Sequence, residues 1–598
     1  MGRTLVEKIL GAHAGCDVSA GEVVDVSIDV RAARDFAGAN VVGNLRRHGL
    51  GIDDPARTFF TFDCNPTGSD QKYAANQHLC RLFAREHGIR VFDIDRGIGT
   101  HLVLEDGLVG PGDTFVSTDS HANILGAIGA FGQGMGDVDV AYAFAHGKVW
   151  FTVPGTVRVL LKGTPSPAAT AKDLVLAMVR HFGANGLLGL AAEVTGDVAA
   201  ALDLAERITV ASMATEMGGI ITLFAPSPEV IDYCRSAGAV FEPVFPDVDA
   251  DYVQTVEVDV DRLGPLVARP GHPDDAVDVS EVTGTPVDSV FIGSCTNGRF
   301  EDLAAAAAVL KGRKVAPGVV LKVVPATDHV WRRAMSEGLF DVFKEAGALI
   351  SNAGCAGCAA GQVGQNGPGE VTVSTGNRNF PGKQGKGDVY LASPATAAAS
   401  AVAGVIARAD DIPATPAAKR KSVSASTALR PAPPPTEERP TRISGRVRVV
   451  NVDNIDTDMI YHNRHLTVTD VAEMGQYTFG GLAGWEDFAK KARPGDIVVT
   501  GENFGCGSSR QQAVDCFKSL GIQLIVARSF GAIYERNAIN NTLAVMTADL
   551  VDVLSDGETV EVDLTTGEVR RQSGEMIRGQ PFSAVQMAIY RRGGLLAE

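Results

Sequence analysis

Three cysteines stand in small-residue loops a few positions after β-rich runs: Cys295 in "GSCTNGR", and Cys355 and Cys358 in "SNAGCAGCAAG". The C-x-x-C pair alone is compatible with a disulfide, half of a zinc site, a redox pair or part of an iron–sulfur cluster. A third strand-end cysteine shifts the balance toward a metal centre, because glycine, alanine and asparagine let backbone amides approach thiolate sulfurs. Structural zinc needs a fourth Cys or His nearby, and the sequence offers none there. An incomplete ligand set suits an iron–sulfur cluster with one iron left for substrate. The ordinary alternative is a set of buried, inert thiols.

A second constellation is "GENFGCGSSRQQAV", where Ser508, Ser509 and Arg510 open a helical pattern. Arg510 stands where a dinucleotide loop needs its last glycine, and the segment is neither a P-loop nor a nucleophile elbow. Amide donors and the helix dipole at such a start favour an anion; taken alone, two capping serines and a surface arginine explain it equally simply. Arg378 in "STGNRNFPGK" and Arg464 in "DTDMIYHNRHLT" add cations suited to a substrate with several carboxylates. A third group is of the acid/base type: Asp119 and His121 in "STDSH", and His101 in "RGIGTH". An isolated Asp-x-His is more often a satisfied loop hydrogen bond.

The elements that must hold these residues alternate short β-branched runs ("DSVFIGSC", "GVVLKVVPA", "GALISNAGC", "EVTVSTGN") with helical patterns, the signature of α/β layers with mainly parallel strands. Ligand sites in such folds collect at the carboxyl ends of strands. Residues 411–442, rich in Pro, Ala, Ser and charge, read as a linker before a domain at 443–598. The 598 residues are enough for several cores. The net charge of −17 argues against nucleic acid or an anionic membrane as the main partner. No apolar run approaches membrane-spanning length, the start reads as a short amphipathic helix rather than a signal peptide, and nine scattered cysteines suit a reducing cytoplasm.

Taken in order, "GIGTH", "TDSH", "ERITVASMATEMGG", "GSCTNGR", "NAGCAGC", "NRNFPGK", "DNIDTD" and "GENFGCGSSR" resemble the aconitase superfamily, and most closely its isopropylmalate dehydratase and homoaconitase branch. The motifs span nearly everything outside the linker. The resemblance implies a large part of three α/β/α domains around a cluster, with domains 1 and 2 at 1–285 and a third, carrying the cysteines, at 286–410. Behind the linker it implies a swivel domain of β/β/α type, often a separate subunit but here fused, so that no separate small subunit is needed. It implies a [4Fe–4S] cluster on Cys295, Cys355 and Cys358, with Ser508 as the base that removes the proton α to a carboxylate. Arg378, Arg464 and Arg510 match carboxylate binders, and Ser120, Asn377 and Ser509 match further substrate or cluster contacts. His101, Asp119, His121, Glu216 and Asp458 match groups that bond the iron-bound water or hydroxyl, or protonate the leaving group.

Four positions depart from the family pattern. Its Asp-His pair keeps Asp63, which the resemblance makes catalytic, but has Cys64 for the histidine. At substrate-binding positions Lys383 stands for the second arginine of the "NRNF" loop and Asn40 for an expected glutamine, and an asparagine before Glu216 is Ser212. A thiol does not replace an imidazole as proton donor at neutral pH without a shifted pKa. The expectation is a hydro-lyase that dehydrates and rehydrates a malate-type 2-hydroxy acid through a cis-unsaturated acid, isopropylmalate or a homologue first. A phosphonomethylmalate-like or dimethylmalate-like acid, or citrate, stands behind these. An RNA-binding iron sensor or an inactive homologue is the alternative of a different class, and the acidic charge speaks against the sensor.

Overall fold

Valine, isoleucine and phenylalanine runs bounded by Gly, Asn and Asp become, among the described residues, the strands of five sheets, and their apolar faces bury against helices. The structure is a computed structural model that describes residues 2–66, 70–357, 362–416, 439–465, 468, 470–506 and 510–595. Most of the expected linker, residues 417–438, lies outside the described residues. The chain divides into two units, Met1–Ala425 and Ser426–Glu598.

In the first unit, strands Arg90–Phe92, Thr58–Thr61, Val30–Arg34, Thr114–Ser117 and Phe131–Gly134 lie side by side in that order, all parallel. A four-stranded parallel sheet orders Ile221–Leu223, Ala191–Thr195, Thr156–Lys162 and Gln254–Asp259. A seven-stranded sheet runs Ala276–Asp278, Leu266–Ala268, Asp388–Leu391, Val371–Ser374, Ser289–Ile292, Val320–Val323 and Leu349–Ile350. Its last five strands are parallel and its first two form an antiparallel edge. The strands Val30–Arg34, Thr58–Thr61, Ser289–Ile292 and Val371–Ser374 are buried along their whole length, as parallel strands covered on both faces must be.

The second unit has one seven-stranded sheet, ordered Ala544–Thr547, Leu524–Ala527, Ile497–Thr500, Arg442–Val450, Thr559–Asp563, Glu568–Arg571 and Met576–Arg578. Its first four strands are parallel and its last three join antiparallel. The helix Gln512–Ser519, immediately after the Ser-Ser-Arg segment, buries Ala513, Val514, Cys516 and Phe517. At roughly 1.5–3 kcal/mol for each fully buried large apolar side chain, such faces hold the layers together. No helix among the described residues is long and apolar enough to cross a membrane.

Candidate active site

In the five-stranded sheet, register brings three carboxyl ends together. Arg34 ends its strand opposite Thr61, two residues before Asp63, and Ala32 pairs with Ser117, two before Asp119. Arg34 Nε donates to Asp63 Oδ1 at 2.8 Å, and its Nη1 lies 3.0 Å from Asp119 Oδ1. Asp63 Oδ1 also accepts from the Cys64 thiol at 3.5 Å, and Oδ2 accepts from Gly99 N at 3.1 Å. Every side chain in this corner is buried. Burial, with Asp35 and Asp119 nearby, pushes Asp63 up to about 6 against the pull of Arg34. Burial likewise drives the Cys64 thiol well above its ordinary range, only partly offset by Arg34, so the thiol stays protonated. Burial also opposes ionisation of Asp119, but there Arg34 and His121 outweigh it and hold the carboxyl low.

Asp35, Asp63 and Cys64 bring three ligand-type atoms within 4.8 Å of one another. Asp35 already accepts from Cys64 N, Asn65 N and Gln77 Nε2, and the Arg34 guanidinium supplies the positive charge against Asp63. This corner is an ion-pair knot, not a metal site.

The seven-stranded sheet delivers the second group. Cys295 follows strand Ser289–Ile292, and Asn377 follows its neighbour Val371–Ser374. Ser294 is held at φ +82°, a conformation that costs a side-chain-bearing residue about 1–3 kcal/mol and turns Cys295 off the strand axis. Cys295 and Cys355 are buried in one small cluster with Ile98 and Ala326. Cys355 N donates to Asp63 O at 2.8 Å, which stitches the two sheets together. Asn377 Nδ2 donates to Cys295 Sγ at 3.4 Å. Cys358 lies outside the described residues. Two buried cysteines on adjacent loops, one receiving an amide hydrogen bond at sulfur, fit a cluster in donor chemistry and in placement.

Between these groups lies a third. His121 Nε2 is 2.9 Å from Asn377 Nδ2 and 3.3 Å from Glu216 Oε1, so its tautomer selects whether it accepts from the one or donates to the other. Arg378 Nε donates to Glu216 Oε1 at 2.7 Å, and its Nη1 donates to the exposed Ser120 hydroxyl at 3.4 Å. Burial would raise the Glu216 carboxyl, but His121 and Arg378 outweigh it and keep the group ionised below its usual range. Glu216 Oε2 is buried without a hydrogen-bond partner. Ser212, one turn before Glu216, bonds Thr296 Oγ1 beside Cys295 at 3.0 Å.

His101 is engaged on both ring nitrogens. Arg299 Nη1 donates to Nδ1 at 3.3 Å, which leaves the Nε2 proton to donate to Cys295 O at 2.9 Å. Burial first and Arg299 second push its pKa down to about 3, so the ring is neutral. Here His101 struts the cysteine turn and holds no spare proton. Asn40 is exposed and donates to Asp137 at 2.8 Å, away from the buried knot, while Lys383 is half-buried, its backbone amide on Phe380 O.

In the second unit, Arg510 forks onto Asp458, with Nη2–Oδ2 at 2.7 Å and Nη1 also on Oδ1, and reaches Tyr461 O at 3.3 Å. Arg464 is exposed, and its Nε donates to His465 Nε2 at 2.8 Å. Ser508 and Ser509 lie outside the described residues. Sequence reasoning missed Arg34, Lys172 and Arg299, each buried against a named site residue or its loop. Two signals were available: a charged residue ending an all-buried strand, and a lysine at the amino end of a helix, where the dipole disfavours it.

The sequence profile of the aconitase family (aconitate hydratase) matches residues 7–286 and 278–404, and that of the aconitase C-terminal domain matches 440–549. The chain belongs to the aconitase family. Its members are hydro-lyases, and this chain is an enzyme of that class. It is 42% identical to 3-isopropylmalate dehydratase large subunit 1 of Methanopyrus kandleri over 68% of this chain and 98% of that one. It is also 42% identical to the homoaconitase large subunit of Thermus thermophilus, over 69% and 98%. A crystal structure of 3-isopropylmalate dehydratase from Methanocaldococcus jannaschii is 38% identical over 26% of this chain and 92% of that chain, with a TM-score of 0.25. The two large-subunit relatives thus match about two thirds of this chain, which also carries the C-terminal-domain match.

Proposed function

We propose that the protein isomerises a malate-type 2-hydroxy acid by removing water and adding it back across the resulting cis double bond, with 3-isopropylmalate or a homoaconitate-type acid as substrate. The observation that carries this reading is Asn377, which touches the Cys295 sulfur with one amide and the His121–Glu216–Arg378 group with the same nitrogen. A thiolate-held centre, an acid/base pair and a carboxylate-binding guanidinium are thereby joined through one side chain.

On this reading Cys295, Cys355 and Cys358 hold a [4Fe–4S] cluster, which supplies Lewis acidity toward the substrate's hydroxyl and carboxylate. Arg378 is forked toward a substrate carboxylate while it holds Glu216. His121, backed by Glu216 and Asp119, delivers the proton that lets hydroxide leave as water and takes it back on rehydration. Ser508 is the base for the α-proton, and Arg510 and Arg464 supply positive charge for a substrate carboxylate, Arg510 by exchanging its Asp458 partner for it. Residues 1–285 and 286–410 serve as the catalytic large part and 443–598 as a fused counterpart of the small subunit. Asp63, Arg34 and Cys64 shape the site rather than exchange protons. Cys64 in place of the family's histidine favours a specialised acid over citrate.

Anaerobic reconstitution followed by a panel of malate-type acids tests this directly. The expected result is a brown protein whose turnover of one acid raises ultraviolet absorbance from the unsaturated product. A colourless zinc protein, or no turnover across the panel, overturns it. Ser508→Ala is expected to abolish turnover while added substrate still alters the cluster's EPR signal.

A further inference from the structure

Lys172 is the second residue of the helix Ala171–Phe182 and is only 1% exposed. Its ammonium donates to the carbonyls of Thr375 at 3.3 Å and Gly376 at 2.5 Å. Among the described residues no carboxylate comes within ion-pair distance of it. Of the acids that face it, Asp173 accepts from Thr170 N and Oγ1 and from Leu266 N, and Asp302 from Asn297 Nδ2 and Arg299 N. Glu216 acts on it most, but beyond ion-pair distance, and its Oε1 already holds Arg378 and His121 while Oε2 is open. Among the described residues Cys295 is a further negative-capable group that acts on the ammonium.

A buried charge without a counter-charge is costly, by several kcal/mol after relaxation. The position makes matters worse, because the amino end of a helix is already positive. Backbone carbonyls offset only part of this. The carbonyls chosen are informative: Thr375 O also accepts from Ser294 Oγ at 3.5 Å, and Thr375 Oγ1 exchanges hydrogen bonds with Gly293 N and O at 2.9 and 3.0 Å. Lys172 therefore sits under the knot that presents Cys295 on one side and Asn377–Arg378 on the other.

We propose that Lys172 is a positioning residue for the metal centre: its ammonium balances the negative charge of the thiolate-bound cluster and clamps the Thr375–Arg378 turn against the Cys295 turn. This rests on the cluster assignment above. A [4Fe–4S]²⁺ core with three thiolates carries one net negative charge, and reduction adds another, so a fixed cation beside Cys295 favours both binding and reduction. Without the cluster the same ammonium is left with backbone carbonyls and the more distant Glu216 carboxylate, which Arg378 already neutralises, and the apo-protein bears the strain.

The experiment compares wild type, Lys172→Met and Lys172→Arg, each as apo-protein and after anaerobic reconstitution. The expected result for Lys172→Met is an apo-protein that melts at or above the wild-type temperature. Its gain in melting temperature on reconstitution shrinks, a chelator strips its iron roughly 10- to 100-fold faster, and its cluster takes up an electron at a lower midpoint potential. Lys172→Arg keeps the wild-type potential and stripping rate. The proposal is overturned if Lys172→Met lowers apo and reconstituted stability by the same amount with potential and stripping rate unchanged, which marks an ordinary structural lysine. A wild-type chain that binds no iron overturns the cluster assignment itself, and is told apart from the first result by its iron content.

Discussion

The Arg34–Asp63–Cys64 corner and the His121–Glu216–Arg378 corner are both buried, both polar and both built on strand ends of the first unit, yet they are wired differently. In the first, both Asp63 oxygens are occupied by Arg34, Cys64 and the Gly99 amide, and Arg34 spends its second arm on Asp119. In the second, Glu216 keeps one oxygen without a partner, and Arg378 reaches from that buried carboxylate to an exposed serine. A knot whose carboxylate oxygens are taken, with a single Arg34 donor (Nη2) left over, fixes geometry; a knot with an open acceptor and a cation at its rim can take part in chemistry.

Glu216→Gln removes the charge that orients His121 and Arg378, and turnover is expected to fall about 10²- to 10⁴-fold with the fold intact, as steady-state kinetics beside circular dichroism would report. Arg34→Met takes the guanidinium from two buried carboxylates, leaving Asp63 without a cation and Asp119 with His121 alone, and is expected to cost about 3–5 kcal/mol of stability in urea denaturation, far more than it changes the substrate's KM. Arg378→Lys keeps the charge but loses the fork, and a KM rise of roughly tenfold or more at nearly unchanged stability is the outcome to check. Cys64→Ser is expected to stay within a few-fold of wild-type turnover, since the thiol is only a third donor to Asp63; a large loss would break the distinction between the corners.

Acid titration separates them again. Glu216 has its folded pKa depressed, so the stability it contributes is present above the unfolded carboxylate range and is lost as pH falls through the folded value. Asp63, raised to about 6, works with the opposite sign: it costs stability at neutral pH, and the cost is relieved as pH falls through 6. On the apo-protein, Glu216→Gln is therefore expected to flatten the acid limb of a stability–pH curve, and Asp63→Asn the segment between about 4 and 6.

The α/β class, strand-end placement and cysteine loops were legible because each rests on local pattern: β-branched runs, small-residue turns, motif spacing. Arg34 and Lys172 were not, because nothing local distinguishes a surface cation from a buried one; only the register that sets Arg34 opposite Thr61, and the packing of a helix start against Gly376, assign them. The expected acid/base role of His101 rests on its motif alone; its place as a strut was not legible, since that depends on Arg299 folding back onto its ring. Arg510 read as a cation awaiting substrate, and in this structure it is forked onto Asp458.

The backbone bond from Cys355 to Asp63 joins loops from two different sheets far apart in the chain, and Ile98 N to Ala326 O repeats the stitch beside it. The seven-stranded sheet alone brings the two cysteine loops near each other, and docking of the five-stranded sheet closes them in with Ile98. An order of assembly follows: during synthesis the chain must emerge well past residue 355 before Cys295 and Cys355 can be closed in against strands laid down far earlier, and until then both thiols stay open to solvent and to whatever reacts with them.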